Sequence, residues 1–336
     1  MSIGNSDPLL KIAACAFIPA VAISACLCAI WIRVAKVLPW RKDVREDVPE
    51  RHRAKVGTPT MGGLAFIASS ALTCALIAII VRGYDAPQSD ALLLLASTLI
   101  LFSALGAIDD VWKGIKGRGI KARYKLLWQM ACGLFVTLIL RHEFGLPTTI
   151  GVNELGVAYL PVGALLITAS SNAVNLTDGL DGLVCGMSIV SLLTLAAVPV
   201  ILKGASPYAV AAAGACIVLA GALIGFLPFN IHPAKVFMGD TGSLPLGAFM
   251  CAAAMLMKVE LLWLLIGLVF FIEMLTVVIQ VVSYKTTRKR VFPITPIHHS
   301  FEQIGWSEWR IVLTFWACTA FCAMCAISIA ALAWRV

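Results

Sequence analysis

The sequence predicts an all-α polytopic membrane protein, a single domain over residues 1–336 with about ten transmembrane helices. Three observations carry that expectation. Of the 336 residues 60% are hydrophobic and 13% charged, roughly half the charged share of a soluble domain, and the mean hydropathy is +0.92. Apolar runs of about 20 residues, each long enough to cross a bilayer, recur from end to end. Basic residues gather in alternate loops, the pattern of the positive-inside rule. The strands of a transmembrane barrel would instead alternate polar and apolar residues. A cleavable signal peptide is not expected, because the first apolar run is too long and lacks a basic n-region.

The length rule places spans at roughly 12–32, 61–81, 91–108, 126–140, 158–174, 181–202, 209–228, 242–257, 260–283 and 311–334. The fifth and eighth are short and interrupted by Gly, Pro or polar residues. The first loop carries Arg33, Lys36, Arg41, Lys42, Arg45, Arg51, Arg53 and Lys55. The third carries Lys113, Lys116, Arg118, Lys121, Arg123 and Lys125. The ninth carries Lys285, Arg288, Lys289, Arg290 and Arg310, and the seventh Lys235. The even loops hold Arg82, Arg141, Lys203 and Lys258, with Lys11 and Arg335 at the two ends. Odd loops are therefore expected in the cytoplasm and both termini in the periplasm. The net charge of +8 then concentrates on one membrane face, which suits anionic headgroups or phosphorylated substrates. The 11 cysteines lie almost all inside apolar runs. Cys322 and Cys325 have zinc-ligand spacing but sit within a span and lack a second pair, so packing is the expected role of the set.

Four polar clusters interrupt the chain, all on the expected cytoplasmic face, and acids at a membrane edge mark function. Asp109 and Asp110 close the third span in "ALGAIDDVWK"; adjacent acids there can bind a divalent cation, act as base, or cap a helix. In "SSNAVNLTDGLDGL", Asn172, Asn175, Asp178 and Asp181 are spaced three apart. A continuous helix would scatter them over half its circumference, so Gly179 and Gly182 predict a break facing a buried or water-lined site. In "FNIHPAKVFMGDTGS" the lone acid Asp240 stands between Gly239 and Gly242 ahead of a helix, a place for phosphate on backbone amides or for Mg²⁺ on oxygen. Phe237 can stack on a base or simply pack. Lys55 opens "KVGTPTMGG" at the mouth of the second span, where a phosphate contact and ordinary flanking charge are both open.

The fourth cluster is "TPIHHSFEQIGW", with His298 and His299 side by side. Zinc would need a second His/Cys cluster, which the sequence does not offer. Carboxylates dominate elsewhere and favour Mg²⁺, so the histidines read as phosphate contacts or helpers in proton transfer. Acids for Mg²⁺, lysines for phosphate and an apolar body together point to phosphoryl transfer at a membrane surface, with a lipid as one substrate.

The stretches "VREDVPERHRAKVGTPTMGG", "AIDDVWK", "ARYKLLWQ", "SSNAVNLTDGLDGL", "GFLPFNIHPAKVFMGDTGSLPLG", "VVSYKTTRKRVF" and "PIHHSFEQIGW" closely resemble the phospho-N-acetylmuramoyl-pentapeptide transferases. These are the translocase I family of the polyprenyl-phosphate N-acetylhexosamine-1-phosphate transferase superfamily. The stretches run in family order over about residues 44 to 310. The resemblance implies a ten-span enzyme of the bacterial inner membrane, a homodimer among membrane lipids with no nucleic-acid partner. It implies transfer of phospho-MurNAc-pentapeptide from UDP-MurNAc-pentapeptide to undecaprenyl phosphate, giving lipid I and UMP with Mg²⁺ as cofactor. Asp240 is then the Mg²⁺ ligand, Asp109 and Asp110 lie at the reacting phosphates, and Asp109 is a candidate base. Lys55, Lys113, Lys125, Asn230 and His298 correspond to further active-site positions. Asp178, Gly179, Leu180, Asp181 and Phe237 correspond to the nucleoside region, with Gln280 near it and His299 beside them. Asn172, Asn175 and Ser300 complete the candidate substrate contacts.

Two rivals stand beside this expectation. A sister GlcNAc-1-phosphate transferase for another envelope polymer would share the acids, but such enzymes usually carry an arginine-bearing "HHR" motif in place of "HHSFE". An ion-coupled transporter would carry acids facing both membrane sides. The family pattern usually has a third histidine where this chain has Ser300. A hydroxyl can hydrogen-bond phosphate but cannot relay a proton near neutral pH, so His298 is the first of the set to expect in the chemistry.

Overall fold

The computed structural model describes residues 8–35, 37, 57–145, 149–150, 153–202 and 206–333. These form α1 (Pro8–Ala35), α2 (Gly63–Arg82), α3 (Ala86–Lys116), α4 (Ala122–His142), α5 (Tyr159–Thr177), α6 (Leu183–Ile201), α7 (Ala209–Asn230), α8 (Gly239–Met257), α9 (Glu260–Ile266), α10 (Leu268–Thr287), α11 (Ile297–Gln303) and α12 (Glu308–Ala333). Between α4 and α5 lie a two-residue antiparallel ladder, Thr149 opposite Glu154 and Ile150 opposite Asn153, and one 3₁₀ turn.

Nine of the helices among the described residues are long and apolar enough to span a membrane. The fourth expected span, α4, reaches 21 residues, but its apolarity is diluted by Arg123, Lys125, Gln129, Arg141 and His142. The expected span 260–283 is two helices, because the chain breaks at Gly267 between α9 and α10. The eighth span starts at Gly239 rather than 242 and is the hub of the fold: every residue from Asp240 to Met257 is buried.

The hub is possible because its sequence and its neighbours' are small at the crossings. α8 packs chiefly on α3 and α5. A Cβ on Gly106 of α3 would lie 2.1 Å from the Asp240 carbonyl oxygen, and one on Gly63 of α2 would lie 2.3 Å from Gly242 Cα. Small residues let helix backbones approach where lipid supplies no hydrophobic drive. Buried hydroxyls add interhelical bonds: Ser171 Oγ donates to Leu244 O at 2.9 Å. Helices α1, α10 and α12 are the least buried of the spans and present residues such as Ile18, Ile272, Val282 and Phe321 outward, a face suited to lipid.

The site end of the bundle is built by helix length and by ties across the chain. α3 has 31 residues, roughly 46 Å at 1.5 Å per residue, well over the roughly 30 Å hydrocarbon core. Its last two turns, from Asp109 to Lys116, therefore project past the apolar layer. Asp85 caps its start by accepting from Gln88 N at 3.1 Å, and Gly117 in the left-handed region stops it. At the same end, Trp31 Nε1 donates to Thr60 O (2.9 Å), Gly62 N to Phe237 O (2.8 Å) and Trp316 Nε1 to Leu183 O (3.1 Å). These ties gather the C-terminal ends of α1, α3, α5 and α7 with the N-terminal ends of α2, α4, α6, α8 and α12. Arg33, Lys113, Lys116, Arg118, Lys121, Arg123, Lys125, Lys235 and Arg310 lie at that end.

Candidate active site

Three acids and two lysines from three helices meet at this end. Asp109 and Asp110 come from the projecting turn of α3, Asp240 from the first turn of α8, and Lys113 and Lys125 from α3 and α4. All three acids are buried. Lys113 Nζ lies 2.7 Å from Asp240 Oδ2, 2.9 Å from Asp109 Oδ2 and 3.8 Å from Asp110 Oδ1. Lys125 Nζ also donates to Asp240 Oδ2 and lies 3.3 Å from Asp109 Oδ2. An uncompensated acid at this depth would be costly; here cations and hydrogen bonds satisfy each one.

Each acid is also aimed by a second partner. Asn175 Nδ2 donates to Asp240 Oδ1 at 2.9 Å and to Ser243 Oγ at 2.8 Å. Thr241 donates to Asp110 Oδ2 from both its backbone N (2.9 Å) and its hydroxyl (2.7 Å). Ile120 N donates to Asp109 Oδ1 at 2.6 Å, tying the α3–α4 turn to the site. Thr241 and Ser243 escaped the sequence reading, although both stand in the "GDTGS" stretch that contains Asp240.

The break expected after Asn175 is present. α5 ends at Thr177, Asp178 leaves helical geometry, and Gly182 takes φ 77 before α6. Asp178 is half-buried at this turn. Its carboxyl is raised to about 8 by burial first and then by the charges of Asp240, Asp110 and Asp181, against the pull of Lys113. Leu180 is buried. Asp181 Oδ2 accepts from Ala234 N at 3.0 Å and pairs with His232 Nδ1 at 3.1 Å, while its backbone N donates to Glu308 Oε1 at 2.8 Å. Ligand atoms of Asp181, His232 and Glu308 lie within 4.8 Å of one another, so this mixed N/O group joins the acids as a place that could hold a metal.

Other candidates have loop-building partners. Asn230 Nδ2 donates to Val236 O at 3.1 Å, closing the turn before α8. Phe237 is held through its backbone, its N donating to Pro59 O at 2.9 Å. Gln280 on α10 accepts from Val291 N and Phe292 N and donates to Phe292 O, pinning the segment ahead of α11. Asn172 Nδ2 donates to Gln129 Oε1 at 2.7 Å, joining α5 to α4. Ser300 Oγ donates to Ile294 O at 2.7 Å, and His299 Nδ1 pairs with Glu302 at 2.6 Å. His298 is fully buried beneath Gly179, bonded through Nδ1 to Glu273 Oε2 at 3.2 Å. Glu273 was missed in the sequence, where its signal was a lone acid inside the apolar run "LVFFIEMLTVV". Lys55 lies outside the described residues.

The oxygen-only set of Asp109, Asp110 and Asp240 fits a hard divalent cation. One lysine nitrogen sits within 3.8 Å of an oxygen from each, so the three carboxylates share a cation, which a lysine supplies in this structure.

The chain is similar to known proteins over nearly all of its length. The family model of glycosyl transferase family 4 matches residues 92–258. Phospho-N-acetylmuramoyl-pentapeptide-transferase signature 1 matches residues 55–67. The phospho-N-acetylmuramoyl-pentapeptide-transferase of Halalkalibacterium halodurans is 42% identical over 312 residues, covering 91% of this chain and 93% of the relative. That of Anoxybacillus flavithermus is 41% identical over 321 residues, 93% and 95% of the two chains. That of Desulfitobacterium hafniense is 39% identical over 323 residues, 91% and 93%. With relatives at this identity over nine-tenths of its length, the chain belongs to the phospho-N-acetylmuramoyl-pentapeptide-transferase family of bacterial inner-membrane enzymes.

Proposed function

We propose that this protein transfers phospho-N-acetylmuramoyl-pentapeptide from its UDP carrier to undecaprenyl phosphate, releasing UMP and making lipid I for peptidoglycan. One observation carries the chemistry: Asp109, Asp110 and Asp240 converge on Lys113 at one end of an apolar bundle. That end faces the cytoplasm in this reading, where the nucleotide substrate is, and the enzyme works as a homodimer.

Mg²⁺, held by Asp240 with Asp109 and Asp110 beside it, would neutralise charge on the diphosphate. The chain's residues do the rest. Asn175 and Thr241 keep Asp240 and Asp110 aimed, as their hydrogen bonds to these carboxylates support. Asp109 takes the proton of the lipid phosphate. The freed oxygen attacks the β-phosphorus, the bond from that phosphorus to the bridging oxygen breaks, and UMP leaves with the electron pair. Lys113 and Lys125 hold non-bridging phosphate oxygens, and the 178–181 turn with Phe237 receives the nucleoside. Lys55 would add a phosphate contact.

The match of residues 55–67 to the muramoyl signature favours this substrate over the GlcNAc of sister transferases. The test is purified protein with undecaprenyl phosphate and Mg²⁺, comparing UDP-MurNAc-pentapeptide with UDP-GlcNAc. UMP release from the first alone is expected. Release from the second alone would move the chain to the sister reaction, and release from neither would sink the transferase reading.

A further inference from the structure

Glu273 stands in the second turn of α10, fully buried within an otherwise apolar helix. A carboxylate there is costly unless it is paired. Its two oxygens serve one residue. Oε1 accepts the backbone N–H of His298 at 3.2 Å, and Oε2 meets His298 Nδ1 at 3.2 Å. With Oε2 as the acceptor, Nδ1 is the donor, and the ring's orientation and plane are set from both sides. The remaining ring nitrogen, Nε2, is buried with no hydrogen-bond partner. It faces the Asp178–Gly179 turn, where a Cβ on Gly179 would lie 2.3 Å away.

We infer that Glu273 is a positioning residue for transfer: it fixes the His298 ring so that Nε2 is held unpaired directly beneath the Asp178–Gly179 turn, the turn that receives the nucleoside. The inference rests on the transferase reading above. A carboxylate behind a histidine sets which nitrogen carries the proton and which is left to work, and losing such an outer partner typically costs about 10–100-fold. A glutamate kept solely for packing would have no reason to spend both oxygens on one residue of a separate short helix.

The test is a double-mutant cycle on the purified enzyme, read as UMP release. Glu273→Gln is expected to lower kcat roughly 10–100-fold and to leave KM for the UDP-sugar within about twofold. In a His298→Ala background the same change is expected to add no further loss, because the effect runs through His298. Glu273→Asp, which keeps the charge, recovers part of the rate and is read in the same cycle should Glu273→Gln not fold. A ¹⁵N-histidine spectrum, with His298 assigned by its loss in His298→Ala, should show a protonated Nδ1 in the parent enzyme and not in Glu273→Gln. Multiplying losses in the cycle, or an unprotonated Nδ1 in the parent, would overturn the inference. An inactive parent enzyme would instead reject the transferase reading, and the spectrum would still judge the Glu273–His298 bond.

Discussion

Lys113 Nζ lies 2.7 Å from Asp240 Oδ2, an ion pair across 127 residues of sequence, and Lys125 reaches the same oxygen from a third helix. Two ammonium groups thus occupy the point on which the acids converge. In the proposed reaction a divalent cation at those acids would displace them and leave both lysines to hold phosphate oxygens.

Replacing Lys125 by Met tests that exchange. Lys125 is largely buried against Asp109 and Asp240, so the cation-free protein should lose about 3 kcal/mol of stability. Excess Mg²⁺ should restore most of it through binding linkage, and Mn²⁺ should bind more tightly than to the parent, while transfer falls. Thermal unfolding in chelator and in Mg²⁺, with a Mn²⁺ titration by electron paramagnetic resonance, measures all of this. Equal destabilisation in both media would reject the exchange.

Asp240→Ala and Asp109→Asn should separate metal from base. The first is expected to abolish Mg²⁺-dependent UMP release, by roughly a thousandfold or more, and to weaken Mn²⁺ binding. The second should abolish transfer while UDP-sugar binding survives. Calorimetric titration beside the activity assay distinguishes them, and retained transfer in Asp109→Asn would exclude that residue as an essential base.

Gly106→Ala puts a methyl group 2.1 Å from the Asp240 carbonyl oxygen, where backbone rather than a flexible side chain must yield. A loss of about 1–3 kcal/mol or more is expected, along with weaker cation binding as α8 shifts away from α3. A melting temperature and Mn²⁺ affinity unchanged from the parent would show that the crossing is looser than this.

Asp178 contributes a pH dependence of its own. Its carboxyl is raised to about 8 in the fold, against about 4 in an unfolded chain. Between those values the folded state holds a proton that the unfolded state has released, so stability falls as pH rises through the window and levels off above it. Asp178→Asn lacks this dependence. In metal-free buffer its melting temperature should overtake the parent's by several degrees from about pH 5 to about pH 8. A constant difference across that range would reject the shift.

Composition and periodicity were enough for the helical membrane architecture, because spans are set by length and apolarity within one chain. The same local logic located the acids at helix edges and the break between Asn175 and Gly182. It could not anticipate which partner each polar group takes. The resemblance places Asn230 in the active site and Gln280 and Ser300 among the substrate contacts, and the fold adds that their side chains bond loop backbone. His298 reads as a phosphate contact or proton-transfer helper, and only the fold shows that it is buried on Glu273. Hydrogen bonds form between groups remote in sequence, and a linear pattern encodes burial only along its own helix. What the sequence determined by itself is therefore the membrane fold, the family and the acids. What only the tertiary structure decided is that Lys113 and Lys125 sit where the acids converge, and that Glu273 stands behind His298, because those pairings depend on how α3, α4, α8, α10 and α11 cross.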